Sequence, residues 1–129
     1  MRLFILLALI LGAFTPLSGC DDDTTETVGK RIASPDGRVE VVRVDRESGA
    51  TVSDSVFVYV VPTGTKMSDF GTPSIRVHNY RDIQMKWKSN RNLDVIYAEA
   101  EVLEFNKTWS SPFVDSNRYE VTITLQKKP

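Results

Sequence analysis

Hydrophobic positions along this chain fall into one long opening run and then a series of short ones. Leu3 to Phe14 is almost unbroken Leu, Ile, Ala and Phe. At 1.5 Å per residue that run reaches about 18 Å as a helix, well short of the ~30 Å core of a bilayer. After it, apolar residues recur in short pieces separated by Gly, Pro, Asn, Asp and Ser, the pattern of strands and turns.

Each short piece predicts a strand. Val39 to Val44 begins by alternating and changes phase at Val41-Val42, which predicts either a bulge or a strand covered on both faces. It is joined to Arg31-Ile32-Ala33 by Ser34-Pro35-Asp36-Gly37. There Pro presets φ at the first corner, Asp suits the second, and Gly accepts the left-handed residue of a hairpin with a Gly bulge. Glu47-Ser48-Gly49-Ala50-Thr51 makes the next turn. Val56 to Val61, rich in β-branched and aromatic side chains and stopped by Pro62 and Gly64, predicts a central strand buried on both faces. Pro62 to Pro73 reads as a loop and Ser74 to His78 as a short strand. From Asp82 to Lys88, Ile83, Met85 and Trp87 share one side; the Ser89–Asn92 turn then leads into Leu93–Tyr97 as a second hairpin. Glu99 to Phe105 fits a strand or a helical turn. Tyr119, Val121, Ile123 and Leu125 alternate with Glu120, Thr122, Thr124 and Gln126, a half-buried final strand.

No long amphipathic helix appears after residue 20. The expected class is all-β: a single small antiparallel sheet, or a β-sandwich of about seven strands. Its core should include Val41, Val58, Val60, Ile83, Trp87, Val95, Val121 and Ile123.

The opening run has the features of a signal. Met1-Arg2 is positive, Pro16 breaks the helix, and small residues lead to Cys20 without the Ala-x-Ala of an ordinary secretory cleavage site. Leu17-Ser18-Gly19-Cys20 resembles the lipobox of bacterial lipoproteins at all four positions. That resemblance implies diacylglycerol on the Cys20 thiol, cleavage before it and acylation of the freed amine. Cys20 is the only cysteine, so lipidation leaves no thiol for a disulfide, a metal or a nucleophile. The organisation expected is a signal peptide over 1–19, a lipidated Cys with an acidic flexible tether over 20–29, and a β-domain over 30–129. The location expected is the bacterial cell membrane, lipid-anchored and facing the periplasm or exterior. Asp21 directly follows Cys20 and resembles the inner-membrane retention signal of enteric lipoproteins.

Charge narrows the partners. The chain has 16 Lys and Arg against 17 Asp and Glu, for a net charge of −1. Asp21-Asp22-Asp23 and Glu26 crowd the tether, and no basic block follows. No nucleic-acid partner is expected on that pattern.

Candidate chemistry is sparse. His78 is the only histidine; without HxxH, HxH or CxxC partners it reads as a solvated strand-edge residue. No GxSxG elbow frames Ser34, Ser53 or Ser55, and no phosphate loop is present. Asp82, Asp94, Glu99, Glu101 and Glu104 are spread over polar faces, where they serve solubility and edge protection. A glycosidase would instead require two of them to converge. No catalytic residue, metal site, cofactor or small-molecule ligand is expected. Phe70, Tyr80, Trp109 and Phe113 lie in or beside loops and form a candidate interaction patch, since aromatic residues dominate interface hot spots.

Ser34-Pro35-Asp36-Gly37 before a Val-rich strand, with Trp87-Lys88-Ser89 leading to Leu93, Val95 and Tyr97, is similar to blade hairpins of TolB-type propellers. Together with Gly49-Ala50-Thr51 and the strand after it, the order resembles an uncharacterised family of small bacterial membrane-anchored or lipoprotein β-domains. That resemblance implies a fold and brings no activity or site residues. The function expected is a non-catalytic module that binds a protein or envelope component close to the membrane. The alternatives are an immunity or exclusion lipoprotein that occludes a partner, and a hydrolase built on an unrecognised carboxylate pair.

Overall fold

The structure, a computed structural model, describes residues 25–48 and 54–129. Cys20, Asp21, the opening apolar run and most of the turn predicted after Glu47 lie outside the described residues. Nine strands are present among them: β1 (Thr25–Ala33), β2 (Val39–Glu47), β3 (Ser55–Pro62), β4 (Ile75–Arg81), β5 (Gln84–Ser89), β6 (Asn92–Tyr97), β7 (Glu99–Phe105), β8 (Thr108–Trp109) and β9 (Val121–Lys127). The helical pieces among the described residues are two three-residue 3-10 turns, Met67–Asp69 and Asp115–Asn117. The all-β class expected from the sequence is the class observed.

The strands form two sheets, in the orders β1-β2-β3-β4-β7 and β5-β6-β9-β8. The five-stranded sheet is antiparallel throughout. The four-stranded sheet is mixed, because β6 and β9 pair in parallel, Leu93 opposite Ile123 and Val95 opposite Leu125. Of the two arrangements expected, the one with two sheets is present, with nine strands where about seven were expected and with one parallel pairing. Side-chain alternation carries no strand direction, and only the crossover through β7 and β8 brings β9 back beside β6 pointing the same way.

β2 and β3 show why the Val-rich runs lack clean alternation. Val39, Val41, Val56, Val58 and Val60 enter a core between the sheets that also holds Leu93, Val95, Val121 and Ile123. Val42, Val44, Phe57 and Val61 enter a second cluster on the opposite face, with Phe70. Both faces are covered, so both phases are apolar. Burying each of these side chains contributes about 1.5–3 kcal/mol relative to leaving it in water. The irregularity allowed for at Val41-Val42 sits on the partner strand, between Val28 and Arg31 of β1.

β1 begins at Thr25, inside the stretch read as tether. Its residues Thr25, Glu26 and Thr27 pair with Glu47, Arg46 and Asp45. A sheet edge demands main-chain partners and little apolar area, so a polar sequence is admitted there and also deters pairing between molecules.

Trp87 ties the two sheets together by donating Nε1–H to the Ile32 carbonyl at 2.8 Å. Chain direction then sorts the loops to two ends. One end carries the start of β1, the end of β2, the start of β3, the Arg81–Asp82 corner and the end of β9. The opposite end carries the Ser34–Gly37 turn, the loop after Pro62, the β5–β6 turn and the segment leading to β9. Between them β1 spans nine residues, about 30 Å at 3.3 Å per residue.

Candidate functional site

The loops of the end opposite Thr25 enclose a groove of about 1020 Å³. Val60 and Val61 of β3 contribute to its floor, Gly64, Lys66 and Phe70 to one wall, and Trp109 and Phe113 to the other.

The first wall is held from β1 and β2. Glu40 is 8% exposed and pairs with Arg31, Nη1 to Oε1 at 2.6 Å. The same Glu40 oxygen accepts the Gly64 N–H at 3.3 Å, while Arg31 Nη1 donates to the Thr65 carbonyl at 3.0 Å. Arg31 also lies over the Phe70 ring at 5.1 Å, a cation–π contact. Phe70 is thus clamped between the guanidinium and Tyr59, whose ring centroid is 5.1 Å away.

The second wall is a compact turn built around Ser111, which is buried. Its carbonyl accepts the N–H groups of Val114 at 3.2 Å and Asn117 at 3.0 Å, and its hydroxyl oxygen accepts that of Phe113 at 3.2 Å. Asp115, Ser116 and Asn117 follow in left-handed conformation, at φ 48°, 49° and 68°. That reversal sends Val114 into the core between the sheets, while Phe113 is left 87% exposed. An aromatic ring held in water by an ordered turn, beside two others in a groove, is an arrangement suited to contact with another molecule.

Three of the four aromatic residues of the candidate patch therefore meet. Phe70 supplies a buried ring, Trp109 a half-buried one and Phe113 an exposed one. Tyr80 stands apart on β4. It packs against the core, its hydroxyl donates to Asp45 Oδ1 at 3.3 Å, and Arg43 lies over its ring at 5.5 Å. The sequence placed all four beside loops, but loop position does not say at which end a loop closes.

No family model, curated protein or solved structure matches this chain. The groove has to be judged on its own chemistry.

Four of the five candidate carboxylates face basic side chains; Asp82 forms no ion pair among the described residues. Glu99, Glu101 and Glu104 of β7 face Arg81, His78 and Arg76 of β4 at 3.4, 2.7 and 3.5 Å. Asp94 is buried and pairs with Lys88 at 3.1 Å. His78 is half-buried on an interior strand, with Ser55 opposite it on β3 and Glu101 on β7, and not at a solvated edge. Its Nε2 is close to Glu101 but off line for a hydrogen bond. Among the described residues no three His, Cys, Asp or Glu side chains are grouped to hold a metal ion.

Beside the groove, Tyr119 closes the same end. Its hydroxyl lies 2.7 Å from Asp36 Oδ2 and 2.8 Å from the Asn90 carbonyl, and its one proton serves either acceptor. Arg38 and Arg91 stack on the ring at 4.9 and 5.2 Å. The Ser34 hydroxyl foremost, and then that of Tyr119, hold the Asp36 carboxyl below its ordinary 3.8.

Proposed function

We propose that this chain is a bacterial membrane-anchored lipoprotein whose β-domain is non-catalytic and binds a protein of the cell envelope through the groove between Phe70, Trp109 and Phe113. The observation that carries this reading is position. The groove opens at the end of the domain opposite Thr25, where the chain comes in from Cys20. Five residues of extended chain reach at most about 18 Å, and β1 adds about 30 Å more. A domain held by lipid on Cys20 presents the groove away from its own membrane, toward whatever lies in the adjacent compartment. The carboxylates support a binding role over hydrolysis, since Asp94, Glu99, Glu101 and Glu104 each face a basic side chain and none of these four is paired with a second acid.

Site-specific photo-crosslinking in living cells tests the proposal. A photoreactive residue at Phe113 should give a discrete crosslinked protein, whereas one at exposed Lys86 on β5, away from the groove, should give none. Equal yields from both positions, or none from Phe113, would remove the groove as the binding site.

A further inference from the structure

Strand β3 outruns its neighbour. Its ladder with β4 stops where Val58 faces Ile75, and Ser74 N–H donates to the Val58 carbonyl at 2.8 Å as the chain enters β4. Pairing with β2 continues further, to Pro62 opposite Val39, and the Thr63 N–H donates to the Arg38 carbonyl at 3.2 Å. Main-chain groups of successive residues in a strand point to opposite sides. Val58 faces β4 and Thr63 faces β2, so Val60 turns both its N–H and its C=O away from β2, toward the side β4 has left. Neither group has a hydrogen-bond partner among the described residues. Yet Val60 is only 2% exposed, and it lines the groove. Buried main-chain groups without partners are rare in folded proteins. The open stretch ends at Pro62, which has no N–H and whose carbonyl is taken by Thr65.

We propose that the groove receives an extended peptide segment of the partner protein, which adds to β3 as a short strand and exchanges two main-chain hydrogen bonds with Val60. This rests on the binding role assigned to the groove and names the form its ligand takes. Strand addition supplies affinity through main-chain bonds and specificity through alternate side chains. Val60 belongs to the core that Trp109 packs against, whereas Tyr59 and Val61 belong to the cluster that contains Phe70. The peptide residue opposite Val60 therefore sends its side chain to the Trp109 side, and its two neighbours send theirs to the Phe70 side. The groove selects three consecutive apolar residues, β-branched or aromatic. Lys66 and Asp69, one of each sign, line it and balance, so net charge on the peptide contributes little.

The probe is a phage-displayed library of random dodecapeptides, selected on the lipidated full chain in detergent. Peptides with an apolar triplet should be enriched, and they should compete with the protein crosslinked at Phe113. A synthetic copy of the best binder, N-methylated at one residue at a time, should lose about tenfold in affinity when the methyl falls on the middle residue of the triplet, because the N–H that bonds the Val60 carbonyl is removed. Its binding should also slow hydrogen exchange of the Val60 amide. If every N-methylated copy binds equally, strand addition is wrong although the groove binds peptide. Failure to enrich any peptide, with crosslinking at Phe113 intact, overturns this inference and leaves the binding role standing. Loss of both overturns both.

Discussion

Tyr119 places its hydroxyl 2.7 Å from Asp36 Oδ2 across 83 residues of sequence. The bond joins the β1–β2 turn of one sheet to the residue that leads into β9 of the other, so it fastens the two sheets at the groove end. Tyr119→Phe should cost about 1 kcal/mol, a modest figure because Asp36 is exposed to solvent. The pH dependence has a definite sign. The Asp36 carboxyl is lowered in the folded chain, so the advantage of the parent over Phe is complete above about 3.8 and disappears as pH falls through the lowered value. On the alkaline side, burial first and Asp36 second raise the Tyr119 phenol above 10. The contribution is present below 10 and is lost as pH rises through the raised value. Urea unfolding at several pH values reads both limbs.

Trp87 is a second tie between the two sheets, through the Ile32 carbonyl. Trp87→Ala should cost roughly 3 kcal/mol, the low end of the range for a large side chain removed from a core, because the ring is only half-buried. Trp87→Phe keeps most of the packing and strands the Ile32 carbonyl, for about 1–2 kcal/mol. Thermal unfolding followed by circular dichroism distinguishes the two.

Glu40 has a different role, since it binds both Arg31 and the loop that makes one groove wall. Glu40→Ala leaves a guanidinium without its partner and frees the Gly64 amide. The expected cost is about 2 kcal/mol, below the 3–5 of a fully buried pair because Arg31 is partly solvated. Hydrogen exchange at Gly64 should rise further than exchange within β9.

The β4–β7 ion pairs should matter little to stability. Glu99→Gln, Glu101→Gln and Glu104→Gln should each change unfolding free energy by less than about 1 kcal/mol, as surface pairs do. All three should keep the Phe113 crosslink. An inactive yet folded Glu101→Gln chain would point to work done by His78 that the groove does not explain.

Cys20→Ser should abolish incorporation of a clickable fatty acid, and Asp21→Ser should shift part of the protein toward the outer membrane in an enteric host. Undiminished labelling of the Cys20→Ser variant would refute lipid attachment at that position, and an unchanged sucrose-gradient profile would remove Asp21 as a sorting signal.

Much of this architecture was legible from local chemistry. The Ser34–Gly37 hairpin forms as its residues require, with Gly37 N–H bonded to the Ser34 carbonyl at 2.8 Å and Gly37 at φ 71°. Val56–Val61 is the two-faced central strand its composition demands. What escaped depends on partners distant in sequence. Glu99–Phe105 is a strand because β4 offers it an edge, and Thr25–Gly29 is one because β2 does; neither stretch carries the apolar period that announces a strand. Within the patch, Phe70, Trp109 and Phe113 meet because two loops from different sheets close over the same end. Tyr80 was indistinguishable from them by composition, and its separation follows from Arg43 and Asp45 on β2. The unpaired main chain of Val60 has no signature in side chains at all.

β9 is the last strand along the domain and an inner strand of its sheet, between β6 and β8. Until it arrives, β8 has no neighbour in that sheet, and Leu93 and Val95 lack Ile123 and Leu125 beside them. The five-stranded sheet has all its strands once residue 105 has emerged, but one side of its core stays uncovered. A chain delivered across a membrane from its N-terminus would therefore pass as an unfinished domain and close only when its final strand had cleared.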